Sequence, residues 1–89
     1  MMTVYNKIGT SNENPPNGYN TWKEYWEYKK GKKFQKCSNL LCNNDAEAHV
    51  YPNYSHDTIY IVPLCKECNH IYNQSPMNVE EMDLLRLNQ

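Results

Sequence analysis

The chain has 89 residues, of which 39% are hydrophobic and only one is phenylalanine, and its formal net charge is −1. A chain of this size forms one domain whose apolar core alone gives marginal stability. No stretch approaches the about 20 apolar residues that cross a bilayer, and the polar N-terminus lacks the apolar run of a secretory signal, so we expect a soluble, cytoplasmic protein without membrane partners.

The charge is unevenly distributed along the chain. Residues 1–36 carry seven lysines against three glutamates, a net charge of +4, whereas residues 37–89 carry two basic against seven acidic residues, a net charge of −5. This distribution predicts a dipolar molecule whose basic part faces one class of partner and whose acidic part suits another.

Residues 1–20 are predicted to form a flexible N-terminal segment. Turn-forming residues such as Pro15, Pro16 and Gly18 fill residues 9–20, and these residues show no helical or strand periodicity. We expect residues 21–89 to form the single folded domain.

A helix of about two turns is predicted after Thr21, which forms a capping box with Glu24. Trp22, Tyr25 and Trp26 then share one face of that helix. Packing against the domain core is one interpretation of this face. The other is a binding surface on which Trp22 and Trp26 stack against bases or dock a partner.

Four lysines follow the aromatic residues at the end of this helix: Lys29, Lys30, Lys32 and Lys33. Such a run can bind phosphates and release counterions. A solvated lysine run favoured by the helix dipole is an equally good interpretation. The sequence leaves both open.

Four cysteines occur in two close pairs, Cys37-x4-Cys42 and Cys65-x2-Cys68. Each short turn can present two thiolates to one ion, so the spacing predicts a tetrahedral structural Zn²⁺ site. Two disulfides are an alternative that requires an oxidising compartment. A redox-active Cys65-x-x-Cys68 is another alternative, but it leaves Cys37 and Cys42 unexplained.

The segments around the cysteines predict a small α+β fold. The best strand candidate is residues 58–62, rich in β-branched and aromatic residues, with a shorter segment at residues 48–51. A helix is predicted through residues 69–74. The result is a zinc turn, a β-hairpin and a helix that begins at the metal, which is a treble clef preceded by an aromatic helix. Another two-turn helix is predicted from residues 75–82, and residues 84–87 suit a short edge strand.

Three segments resemble the HNH endonuclease domains, the zinc-containing ββα-metal group. They are Cys37-x4-Cys42, residues 48–52 (AHVYP) and residues 61–69 (IVPLCKECN). The resemblance covers residues 37–74. It implies that His49 is the general base that activates water, and that Ala48 and Asn69 occupy the positions that hold a catalytic divalent ion.

The site implied by this resemblance is degenerate, because the alanine side chain offers no ligand atom. Asp45, Glu47 or His70 would have to replace the lost ligand. His49 is otherwise a hydrogen-bonded structural residue or a replacement zinc ligand.

We therefore expect a small zinc-binding accessory or inhibitory module that binds nucleic acid or a protein partner. The alternative is a metal-dependent HNH-type DNA endonuclease with His49 as general base. Only that alternative requires a second divalent ion, which would be Mg²⁺, Mn²⁺ or Ni²⁺.

Overall fold

The structure is a computed structural model that describes residues 1–7, 14–47, 50–70 and 72–87. The described residues form one α-helix, α1 (Trp22–Lys30), and one short 3-10 helix (Glu81–Asp83). The strands are β1 (Met2–Asn6), β2 (Asn53–Ser55), β3 (Thr58–Ile61), β4 (Met77–Val79) and β5 (Leu85–Arg86). This content agrees with the predicted α+β class. Within these ranges, none of the helices has the length and apolar character needed to span a bilayer.

The five strands form one antiparallel sheet in the order β4-β1-β2-β3-β5. Strands β2 and β3 form a hairpin in which Tyr54 lies opposite Ile59. The strand predicted at residues 58–62 is confirmed as β3, one residue shorter at its end. Of the segment predicted at residues 48–51, Val50 and Tyr51 precede the first strand of this hairpin, which begins at Asn53, and Ala48 and His49 lie outside the described residues.

Strand β1 lies between β4 and β2, with Met2 opposite Val79 and Tyr5 opposite Tyr54. The prediction of a flexible N-terminal segment therefore does not hold for Met2–Asn6. Threonine, valine and tyrosine favour strands, and the Val4 side chain is fully buried. A strand in this position is an integral part of the sheet.

Helix α1 is fixed at both ends, and the capping residue predicted at its start is confirmed. The Thr21 hydroxyl accepts a hydrogen bond from the Glu24 amide (3.1 Å), and Gly31 ends the helix in the left-handed conformation, with φ of 67°. Trp22 and Trp26 are buried, and the Trp26 indole donates to the Asp83 carbonyl (2.8 Å). The two tryptophans therefore pack in the core, as one of the two interpretations predicted. The base-stacking role suggested for them is wrong, because a buried ring has no face open to a base.

The core brings this helix, the sheet and both cysteine segments together. Its buried hydrophobic side chains are Val4, Trp22, Trp26, Phe34, Cys37, Val50, Ile61, Val62, Leu64, Cys65, Met77, Val79 and Leu84. Two cysteines are thus part of the core itself. An ion held by these cysteines would therefore adjoin the side chains that pack the sheet against the helix.

The chain after the last cysteine differs from the prediction. The described residues of segment 69–74 form turns in place of a helix. The Asn73 side chain accepts from the Ser75 amide and donates to the Cys68 carbonyl, so it satisfies backbone groups outside any helical pattern. Strand β4 and the 3-10 helix then replace the predicted C-terminal helix, because Met77 and Val79 are buried with the period of a strand. The edge strand suggested at residues 84–87 is confirmed as β5.

Candidate metal centre

The first cysteine pair lies in a turn, Cys37–Cys42, which we call the first knuckle. Its backbone is anchored to two other parts of the fold. The Ser38 amide donates to the Pro63 carbonyl (2.8 Å), and the Leu40 amide donates to the Asn78 carbonyl of β4 (2.9 Å). The first knuckle is therefore held between the second cysteine pair and the edge of the sheet.

The second cysteine pair lies in another turn, Cys65–Cys68, which we call the second knuckle. It follows directly from the buried residues that continue β3, Val62 and Leu64. The Asn69 amide donates to the Cys65 carbonyl (2.9 Å), and the Cys68 amide points at the Cys65 sulfur (3.5 Å). The β2–β3 hairpin thus places the second knuckle beside the first.

The four sulfur atoms of Cys37, Cys42, Cys65 and Cys68 all lie within 4.8 Å of one another. The Sγ atoms of Cys42 and Cys65 are 3.6 Å apart. Four ligands at about 2.3 Å around a tetrahedral zinc have sulfur–sulfur distances of about 3.8 Å, whereas a disulfide has a distance of about 2.05 Å. All four cysteines are free thiols. The predicted cluster is therefore present, and it could hold one metal ion.

Hydrogen bonds and burial act on these thiols in opposite directions. The Asn39 side chain donates to the Cys68 sulfur (3.3 Å) and the Asn44 side chain donates to the Cys65 sulfur (3.9 Å), which favours thiolate charge. The backbone amide of Asn44 lowers the pKa of Cys42. Burial raises the pKa of Cys37 and of Cys68. A bound cation would compensate the buried negative charge that these positions otherwise disfavour.

A cluster of asparagines supports the second knuckle from the sheet side. The Asn6 side-chain nitrogen lies 2.8 Å from the Cys68 carbonyl oxygen, 3.1 Å from that of His70 and 3.3 Å from that of Asn73. The fully buried Asn53 side chain donates to the Asn6 side-chain oxygen (2.7 Å). The amide orientation of Asn6 is therefore fixed on both sides. Sequence reasoning did not find Asn6, because a lone asparagine in an N-terminal strand has no motif.

The positions that the HNH resemblance makes catalytic are only partly described. His49 and Ala48 lie outside the described residues. Asn69 is buried, and its side-chain oxygen accepts from the Tyr51 amide (3.4 Å). His70 is exposed, and its Nδ1 atom accepts from the Tyr72 amide (3.2 Å).

One of the replacement ligands suggested by the sequence is engaged elsewhere. The exposed Asp45 carboxylate pairs with Lys36 at 2.8 Å, and this lysine lowers the pKa of Asp45. The two residues also form an isolated bridge between their backbones. Asp45 therefore belongs to a surface contact next to the first knuckle.

The four lysines suggested for binding have different environments around the end of α1. Lys32 pairs with Asp83 (2.8 Å) and lies 5.7 Å from the centre of the Trp26 ring. Lys30 is half-buried, and burial, followed by the neighbouring charge of Lys32, lowers its pKa. Lys29 and Lys33 are exposed. Of the four lysines, Lys32 is thus already paired to a carboxylate.

The centre contains two knuckles from separate parts of the chain, four thiols close enough for one ion, and a polar support behind the second knuckle. The arrangement could therefore hold one metal ion through four sulfur ligands. Comparisons of the chain with protein-family models, with curated proteins and with solved structures find no match.

Proposed function

We propose that Cys37, Cys42, Cys65 and Cys68 bind one structural Zn²⁺ ion that holds the fold together. The 3.6 Å distance between the sulfurs of Cys42 and Cys65 carries this proposal, because it fits two ligands of one tetrahedral zinc. Two of the four sulfurs belong to buried core residues, Cys37 and Cys65. Four protein ligands leave no open coordination position, so the zinc supplies stability and no catalysis.

The metal assignment is tested with four single Cys→Ser variants and a matched control. Native mass spectrometry of the purified chain should give one zinc per molecule, and each variant should lose stoichiometric zinc. Leu41→Ala is the control, because Leu41 lies inside the first knuckle between two ligands yet is 92% exposed. Full zinc binding by the cysteine variants, or another metal at full occupancy, would contradict the assignment.

We propose that the zinc centre is of the HNH-like treble-clef type. The order of the first knuckle, the β2–β3 hairpin and the second knuckle supports this relation. The described residues after the second knuckle form turns, so the proposed relation concerns the two knuckles and the hairpin and does not extend to a helix that begins at the metal. The zinc site of such a domain is structural and separate from its catalytic positions.

We propose that the protein is a nucleic-acid-binding accessory or inhibitory module and not a nuclease. The basic part of the chain, with exposed Lys29 and Lys33 at the end of α1, supports nucleic acid as the partner. The Ala48 side chain has no atom with which to bind a catalytic ion. The binding role uses the metal centre as a scaffold and the helix end as a contact surface.

The binding role is tested by fluorescence anisotropy with labelled DNA and RNA at low salt. The double variant Lys29→Gln/Lys33→Gln should weaken binding and flatten its salt dependence. Lys66→Gln is the control, because Lys66 is an exposed lysine of the second knuckle. Equal affinity of the double variant and the parent would contradict this role for the helix end.

Hydrolysis is tested in parallel on supercoiled DNA with Mg²⁺, Mn²⁺ or Ni²⁺. We expect the parent protein to produce no nicked product. Nicking that disappears in His49→Ala while zinc content stays unchanged would move the protein to the nuclease class.

A further inference from the structure

Three tyrosines form a contiguous cluster on one flank of α1, and we call Tyr19, Tyr25 and Tyr28 the tyrosine cluster. The Tyr19 ring centre lies 5.0 Å from that of Tyr25 and 5.7 Å from that of Tyr28. Tyr19 and Tyr25 are half-buried, whereas Tyr28 is 71% exposed. The cluster therefore presents aromatic surface to solvent at a place where the two tryptophans do not.

The local fold explains why these rings meet. The Tyr19 amide donates to the Pro16 carbonyl (3.2 Å) across a turn in which Gly18 has a φ of 98°, and the chain then enters α1 at Thr21. Residues three apart on a helix are neighbours, so Tyr25 and Tyr28 share a flank. The turn therefore places Tyr19 against both of them.

The cluster is held in place from the core side. The Tyr25 ring lies edge-on to the buried Trp22 ring, with centres 6.1 Å apart. Trp22 faces the core, so Tyr25 connects the exposed rings to a fixed support. Aromatic side chains positioned before binding lose little conformational freedom when a ligand stacks on them.

Positive charge adjoins the cluster directly. The Lys29 ammonium lies 5.9 Å from the centre of the Tyr25 ring. The glutamates of the same helix are engaged with backbone amides, since Glu24 accepts from Asn20 and Glu27 accepts from Phe34. The flank thus combines aromatic rings with a cation, which is the combination that binds bases and phosphates together.

We infer that the tyrosine cluster binds unpaired bases of single-stranded nucleic acid while the adjacent lysines contact its phosphates. The inference rests on the nucleic-acid part of the proposed function and specifies its substrate. A base can stack on a tyrosine only when it leaves its own stack, which a single strand permits and an intact duplex resists. A duplex would contact the lysines alone.

The test compares anisotropy titrations of a labelled oligothymidylate and of a mixed-sequence duplex of equal length, both at low salt. The single strand should bind more tightly. Tyr28→Ala and Tyr28→Leu should each weaken single-strand binding by about 5- to 100-fold and leave duplex binding unchanged, while Tyr28→Trp should retain it. Tyr72→Ala is the control, because Tyr72 is an 82% exposed tyrosine outside the cluster and its loss should change neither affinity.

The outcomes separate this inference from the proposed function. Unchanged single-strand affinity in Tyr28→Ala and Tyr28→Leu, or equal affinity for both probes, overturns the inference. If Lys29→Gln/Lys33→Gln still weakens binding in that case, the nucleic-acid role itself stands. Binding of the parent to neither probe overturns both and leaves a protein partner. The exposure of Tyr28 makes misfolding of its variants unexpected, and circular dichroism of each variant checks this directly.

Discussion

Asn6 connects the first strand of the sheet to the candidate metal centre. Its side-chain nitrogen faces three carbonyl oxygens around the second knuckle, and its oxygen accepts from Asn53. The Asn6 side chain therefore holds the second knuckle against β1. These hydrogen bonds fix the backbone that carries Cys68.

Replacing Asn6 should destabilise the protein even though Asn6 binds no metal. Asn6→Ala and Asn6→Asp both remove the donor and leave part-buried carbonyls without it, so we expect a loss of about 1–3 kcal/mol in unfolding free energy. Urea unfolding of the zinc-loaded protein measures this loss. Asn17→Ala, at an exposed turn position, should change stability little. Equal stability of the parent and both Asn6 variants would contradict the role of this side chain.

The contrast between the cysteines and Asn6 shows which site residues the sequence can predict. Cysteine pairs at short spacing are rare and have a specific metal chemistry, so the cluster of Cys37, Cys42, Cys65 and Cys68 was predictable. Asn6 contacts residues more than 60 positions away along the chain. Asparagine has many roles in turns and sheets, so no local pattern indicates such a contact.

Gly31 caps the end of helix α1 in the left-handed conformation, with φ of 67°. Its amide donates to the Glu27 backbone carbonyl (2.9 Å). A Cβ added at this glycine would meet no atom within 4 Å beyond its neighbours along the chain. The cost of Gly31→Ala is therefore that of placing alanine in the left-handed conformation, and we expect the free energy of unfolding to fall by about 1 kcal/mol. Gly31→Asn should lose less, because asparagine tolerates this conformation. Thermal unfolding of the two variants measures the difference, and an alanine variant as stable as the parent would contradict the argument.

The turn of the β2–β3 hairpin is the one place in the described chain where residues other than glycine have positive φ. His56 has a φ of 50° and Asp57 a φ of 65°. Two-residue hairpin turns with positive φ at both residues favour glycine at the second position. Asp57→Gly should therefore stabilise the protein by up to about 1 kcal/mol. Asp57→Ala, which keeps a Cβ, should not. A stability gain in the alanine variant equal to that in the glycine variant would contradict the conformational argument.

Elements with a strong local pattern were predictable from the sequence, and elements fixed by distant contacts were not. Helix α1 has a capping residue at its start and a glycine at its end, and β3 is continuously β-branched and aromatic. Strands β1 and β4 pair with each other across the whole chain, so each needs the other to be stable. The helix predicted after Cys68 fails because asparagine side chains there bond to the backbone and compete with helical hydrogen bonds.

The whole molecule depends on one small core in which cysteines are structural members. Cys37 and Cys65 are buried with the residues that join the helix to the sheet. A structural zinc site in a small domain is worth on the order of 10–16 kcal/mol near neutral pH, which is comparable to or larger than the stability of a typical domain. The two knuckles, β4 and β1 should therefore unfold together when the metal leaves.

If the four cysteines bind Zn²⁺ as proposed, acidification should remove the stabilisation that the ion provides. Zinc-bound thiolates have a pKa far below the about 8.5 of a free cysteine. The contribution of the zinc-bound thiolates to the free energy of unfolding is therefore present near neutral pH. It is lost as the pH falls and protons displace the metal. Melting temperatures measured with equimolar zinc should fall between pH 7.5 and pH 5 along with bound zinc. A melting temperature that stays constant while zinc dissociates would show that the metal does not support the fold.

Thermal unfolding with and without a strong chelator tests the structural role of zinc most directly. We predict that the zinc-loaded chain unfolds in one cooperative transition followed by circular dichroism, and that an excess of chelator abolishes this transition at room temperature. One equivalent of Zn²⁺ added back after removal of the chelator should restore it, whereas Mg²⁺ should not. A metal-free protein whose melt is superimposable on that of the zinc-loaded protein would contradict the account.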